Sequence, residues 1–279
     1  MDEKNDDSAK KDPFFSIRLF SGSENQFAVR RPSAGAFQAI RKIALQSADV
    51  PLARKFEICT ELCLDWREHI ELENAEKLET ILKNMAHPDP AALGEKVLDG
   101  HDITERHTDK TLSVIDAQIA IARLILANEK GLPPKINEEN REQVLPGNIR
   151  KASTEWFSMI NIGSDEDLST RTSFRPFAEH DEQYPLEEPS VRTMMDLAEL
   201  QLATPSIPRS DRKTLAAEMK MPFTDPDHES GVSKPEYWIR AAEIILTGVK
   251  PSQGDRELID AGEMNRALTV FFSRSEGLL

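Results

Sequence analysis

Only two cysteines occur in the 279 residues, Cys59 and Cys63. They lie four positions apart, so a disulfide framework is excluded. Two thiols one helical turn apart could hold a zinc ion, but a structural site takes about four ligands. No second Cys or His pair with helical spacing completes the set, and the expected role of both is to fill an apolar stripe. Glycine is scarce too, at 12 residues. None of it forms a phosphate-cradling loop, a dinucleotide fingerprint or a nucleophile elbow, and no paired histidines mark a zinc helix. Positive charge is in the minority, with 35 basic against 49 acidic residues and a net charge of −14. The charges are mixed along the chain, so no basic stripe points to a nucleic acid and the expected surface is a solvated mosaic. The opening MDEKNDDSAKKD has no apolar core of a signal peptide. A cytoplasmic protein with a disordered tail over 1–12 is expected.

Long apolar runs are also missing, with one near-exception. Thr108 to Gly131 carries apolar residues in nearly every helical direction from Leu112 to Leu126, a pattern expected of a helix buried all round. Its apolar run falls short of the roughly 20 residues of a membrane span. Thr108 and Asp109 are its expected caps, and Lys130, Gly131, Pro133 and Pro134 its stop signals. Ile119 and Leu124 should both be fully buried.

Around this helix the pattern predicts a mainly α protein, a multi-helix orthogonal bundle with a small N-terminal β-hairpin. Phe14 to Phe20 and Gln26 to Arg31 read as the hairpin strands. Pro32 and Ser33 open a helix with Phe37, Ile40, Ile43 and Ala44 on one side. From Pro51, Leu52, Phe56, Cys59, Cys63, Trp66 and Ile70 fall in steps of four and three on one buried stripe, opposite a polar face with Arg54, Lys55 and Glu57. A further helix carries Leu78, Ile81, Leu82 and Met85 and ends at the turn His87-Pro88-Asp89-Pro90. These elements make a first domain over 13–131. Prolines then recur from Pro133 to Pro251, and a Pro-rich helical second domain is expected over 132–279. Its helices are expected at Asn148–Ile160, Ser190–Leu202, Ser210–Met221, Pro235–Gly248 and Asp255–Ser273. A long loop near 163–188 lacks any helical period.

Two histidine-carboxylate groups could serve acid–base chemistry: His101 and Asp102 with Glu105, Arg106 and His107, and His180, Asp181 and Glu182 in the long loop. The stretch Asp225 to Glu236 resembles an EF-hand calcium loop, with Asp225, Asp227, Glu229 and Glu236 at the first, third, fifth and twelfth positions. Ser230 stands where the sharp turn calls for glycine, Gly231 comes one place late, and Ser233 to Glu236 also reads as a helix-opening capping box. On balance no cofactor is expected, with calcium as the alternative.

The segment Phe27-Ala-Val-Arg-Arg-Pro32, a helix, and then ADVPLARKFEICTELCL resembles the tail assembly chaperones of tailed bacteriophages over the first third of the chain. That resemblance implies a short β element ending in proline, small helices after it, and a non-catalytic role in binding another tail protein during assembly. The expected function is therefore an interaction or assembly protein whose partner is another protein, with no nucleic acid or membrane. Phe27 and Phe37 are its candidate binding residues. An enzyme built on the 163–188 loop and a calcium-tuned binding module are the rival expectations.

Overall fold

The computed structural model describes residues 15–84, 98, 103–161, 168 and 170–275. The expected tail at 1–12, Met85, the turn at 87–90, His101, Asp102 and positions 163–167 of the long loop lie outside the described residues.

The chain is mainly α with an antiparallel hairpin at its start. Strands β1 (Ser16–Arg18) and β2 (Gln26–Val29) pair antiparallel, with Ile17 opposite Phe27. Their alternation turns Ile17, Phe27 and Val29 inward. Ser33 then caps α1 (Ala34–Gln46) by accepting the Ala36 N–H at 3.2 Å. Helix α2 (Leu52–Leu62) follows. The predicted stripe from Leu52 to Ile70 does not form one helix: the chain turns left-handed at Cys63, φ 52°, and the Leu64 N–H closes on the Cys59 carbonyl at 2.8 Å. Asp65 then caps a separate single-turn helix, α3 (Trp66–His69). Both sides of the break feed the same core, with Phe56 and Trp66 in edge-to-face contact at 5.6 Å. Lys55, assigned by its pattern to the polar face, is instead fully buried, with its ammonium on Glu105. Helix α4 (Ala75–Asn84) follows and buries Leu78.

The central helix, α5 (Val114–Ile125), departs from expectation at both ends. Ser113, not Thr108 or Asp109, is its cap, and it stops at Ile125 rather than running to Lys130. Leu126 and Ala127 leave the helix as β3 and pair with Val29 and Ala28, widening the hairpin to three strands in the order β1-β2-β3. Nor is α5 buried all round. Ile119 and Ile125 are buried, Leu124 is only partly covered, and Val114 is exposed. Asp116 reaches outward to Arg141 at 2.6 Å. The reason is geometric: α5 packs chiefly between α1 and α6 (Pro146–Ile160), which leaves part of its circumference to lighter cover.

Short strands β4 (Ser173–Phe174) and β5 (Tyr184–Pro185) pair within the expected long loop, which is pinned by buried Phe174, Phe177 and Leu186. Helices α7 (Val191–Leu202), α8 (Arg209–Glu218), α9 (Lys234–Ile245) and α10 (Ala261–Ser275) complete the chain, with a 3₁₀ turn at Arg256–Leu258 before α10. Helix α7 starts in a full capping box between Ser190 and Thr193. At α9 only half a box forms: Ser233 accepts the Glu236 N–H, while the Glu236 carboxylate accepts from Arg256 Nη2, at 2.7 and 2.8 Å, and from Arg240 Nε, at 2.8 Å. One connected core draws on both halves of the chain. Helix α1 packs on α9 as well as α5, and Ser33 bridges to Asp260. Phe37 stands edge-on to Trp238 at 5.0 Å. Among the described residues no helix is long and apolar enough to cross a membrane.

Candidate functional site

The break after α2 opens one wall of a cleft of about 720 Å³, within the few hundred to one thousand Å³ usual for binding sites. Cys59, Cys63, Leu64 and Trp66 give that wall an apolar face, and Leu82 of α4 adds to it. The opposite wall comes from Pro205, the α8 residues Arg209 and Arg212, and the turn from Asp225 to His228. Gly231 lets the two walls approach. A Cβ there would stand 2.6 Å from the Asp227 carbonyl oxygen, 2.8 Å from Pro205 and 3.0 Å from the Cys63 sulfur. Gly231, one place late for a calcium turn, thus serves close packing.

The thiols of this cleft are poor nucleophiles. Burial pushes Cys59 up to about 12, helped by the nearby Asp65 charge, and burial alone pushes Cys63 up to about 11. Three of the cleft's carboxylates accept hydrogen bonds from within the chain. Asp65 accepts from the Arg67 backbone N–H at 3.1 Å and from Arg67 Nε at 3.0 Å. Asp227 accepts from the Ser230 N–H at 2.8 Å, the Ser230 hydroxyl at 2.7 Å and the Glu229 N–H at 3.1 Å. The Ser230 backbone bond foremost holds it below the usual carboxylate range, so it is a weak base. Asp225 takes a bond from Arg209 Nε at 2.6 Å and one from Arg212 Nη2 at 3.3 Å. Arg212 is itself 3% exposed. Its Nε is spent on the Ile207 carbonyl at 3.0 Å, and its buried Nη1 has no hydrogen-bond partner.

The four carboxylates of the expected calcium loop are not gathered. Asp225 faces α8, Asp227 closes its own turn, Glu229 stands exposed, and Glu236 is bound to Arg256 and Arg240. Among the described residues no three His, Cys, Asp or Glu side chains assemble into a metal-holding group. Two of the four, Asp225 and Asp227, line the cleft.

Phe27 and Phe37 are both core residues, 8% and 1% exposed. Phe27 packs edge-on against Phe20, and Phe37 lies among Trp238, Arg41 and Lys234. Neither ring is presented for a partner; their place on the inward faces of β2 and α1 follows from alternation with Val29 and from the three-residue step to Ile40. His180, Asp181 and Glu182 do not converge either. The imidazole stands edge-on to Phe177 at 5.9 Å, Asp181 is 94% exposed beside Arg175, and Glu182 accepts from the Tyr184 hydroxyl at 2.9 Å. Of the other histidine group, Glu105 is bound to the buried Lys55 and the Arg106 N–H to the Glu71 carbonyl.

Arg209 and Arg212 escaped the sequence reading because a basic pair three apart on a helix looks like a solvated face. Phe223, whose ring gathers both guanidinium groups at 5.5 and 5.6 Å, was the available signal that they turn inward. No family model, no curated protein and no solved structure matches this chain.

Proposed function

We propose that this chain is a non-catalytic binding protein that receives a segment of another protein in the cleft between the α2–α3 break and α8. The observation that carries this reading is the state of the cleft's two thiols and of three of its carboxylates. Its thiols are pushed far above neutrality, and Asp65, Asp225 and Asp227 each have donors from within the chain. A general base needs a free lone pair near its working pH and a nucleophile needs its anion. A recognition surface needs neither: it needs an apolar wall with a few polar groups to fix orientation. The phage tail-assembly role implied by the Phe27–Pro32 resemblance is the particular form of this reading.

Leu82→Trp, which fills the cleft from α4, tests it. The variant should lose the partner that co-purifies with the wild type from the native source, at an unchanged melting temperature. A triple Ala variant at His180, Asp181 and Glu182 should keep that partner, because exposed charges away from an interface core contribute little. Retention of the partner by Leu82→Trp, or its loss from the triple variant, contradicts the reading.

A further inference from the structure

An ammonium is most stable in water or beside a carboxylate, and a lysine denied both gives up its proton more readily. Lys234, the first residue of α9, is such a lysine. Its Nζ stands 5.7 Å from the ring centroids of both Phe37 and Trp238. That is close to the limit of about 6 Å at which a ring still holds a cation, so the rings chiefly keep water away. Arg41 of α1 and Arg54 of α2 bring two more cations, and the carboxylate that faces all three, Glu61, is already taken. Arg41 Nε lies 2.7 Å from one of its oxygens and Arg54 Nη2 3.3 Å from the other. Glu57 is paired with Arg54, and on α9 itself Glu236 is held by Arg240 and Arg256. Lys234 is left without a hydrogen bond or ion pair among the described residues. Burial foremost holds its amine below the usual lysine range against the pull of Glu61, and the Arg41 and Arg54 charges add to the effect. The positive end of the α9 dipole acts in the same direction. The amine is nonetheless within reach of solvent. Lys234 is half-buried, and the side-chain atoms sealed from water without a hydrogen bond belong to Arg41, Glu61, Trp156 and Arg212.

We propose that Lys234 is a site of covalent acylation, its amine taking the acyl group of a thioester. The nitrogen lone pair adds to the carbonyl carbon, the C–S bond breaks, the thiolate leaves with the bonding electrons, and the amine's proton passes through water to that thiolate. The class of donor follows from the surrounding charge. With the amine neutral, Arg41 and Arg54 are balanced by Glu57 and Glu61. The site then attracts neither an anionic nor a cationic donor, and an uncharged thioester meets it at no electrostatic cost. The product is favoured as well, because an amide beside Phe37 and Trp238 loses less on leaving water than an ammonium does.

The experiment is brief treatment of the full chain with S-acetyl-N-acetylcysteamine, an uncharged acetyl thioester, and location of the acetyl groups by peptide mass spectrometry. Near pH 7 Lys234 should be acetylated ahead of Lys130 and Lys250, although those two are exposed and it is half-buried. As pH is raised past the usual lysine value of about 10.4, all three amines become neutral. The lead of Lys234 should then shrink, with circular dichroism confirming that the fold persists. Arg54→Met changes a half-exposed side chain and should leave the melting temperature unchanged. It should also reduce the lead at pH 7, because one cation is gone and the carboxylates it held turn toward the amine. Should that variant unfold, the wild-type pH series decides alone. Labelling of Lys234 no faster than of Lys130 and Lys250 at pH 7 overturns the proposal. A lead undiminished at high pH, or undiminished in folded Arg54→Met, overturns it as well.

Discussion

The core around α5 and the cleft beside α2 are built from the same kinds of helix, yet they follow from different features of the chain. Helix α5 exists because its apolar residues repeat with the helical period, and its neighbours α1 and α6 are chosen by that face. The cleft exists because a period is interrupted: at Cys63 the backbone turns left-handed although the apolar repeat continues through Trp66 and Ile70. Repetition builds a core, and a break in repetition opens a site. The two regions should therefore respond differently to substitution, the core through stability and the cleft through binding.

The largest effects belong to the core. Phe37→Ala removes a ring that is buried against Trp238 and should cost about 3 to 5 kcal/mol by chemical denaturation. Ile125→Ala should cost about 2 to 5 kcal/mol, and Leu124→Ala, on the lightly covered side of the same helix, clearly less. Equal losses at the two positions would mean that α5 is buried all round after all. The Lys55–Glu105 pair comes next. Glu105→Ala strands a fully buried ammonium and should cost about 3 kcal/mol, because an uncompensated buried charge is worse than no pair at all. Combining it with Lys55→Met should restore much of that loss.

Asp260 gives the core a pH signature. Burial pushes its carboxyl up to about 6, against the pull of the Glu263 and Gly262 N–H groups and of Arg31 at 3.8 Å. The unfolded chain titrates near 3.9. Between those values the folded state holds the extra proton, so this group's contribution to stability falls as pH rises through the window and is constant above it. Asp260→Asn keeps an acceptor for both N–H groups and should gain on the wild type by on the order of 2 kcal/mol between pH 4 and pH 7. A constant difference across that range would refute the shift.

Smaller effects sharpen the cleft side. With the Cys63 thiol pushed up to about 11, its alkylation in the native protein should accelerate about tenfold per pH unit from 8 to 10. In urea-unfolded chain the rate should level off near pH 9, and a plateau at pH 9 in the native protein would contradict the burial argument. Calcium added to chelator-treated protein should leave the melting temperature unmoved, since Asp225, Asp227 and Glu236 point to separate partners. A rise in melting temperature that Glu236→Gln abolishes would restore the calcium loop.

The core was legible where local signals agreed. Ser190 with Thr193 and Ser233 with Pro235 mark the starts of α7 and α9 to within a residue or two, because caps and prolines act on their own neighbourhood. The end of α5 was not legible. Leu126 and Ala127 would continue the helix as well as leave it, and pairing with Ala28 and Val29, about a hundred residues away, decides between them. The break at Cys63 is hidden for a related reason, since Phe56 and Trp66 meet across it and the stripe looks whole. Asp65, a capping residue placed just before Trp66, was the local signal of a new helix. Much of the cleft's opposite wall is polar, and polar residues carry no period that says which of them face inward.

The most direct test of the cleft as the binding site is photo-crosslinking from its rim. Benzoylphenylalanine placed at Lys83, which lines the cleft, is compared with the same group at Thr269, exposed on α10, which contributes no described wall residue. Irradiation in the native source should give one discrete crosslinked protein from position 83 and none from position 269. Equal labelling from both positions, or none from position 83 while a partner still co-purifies, would contradict the account.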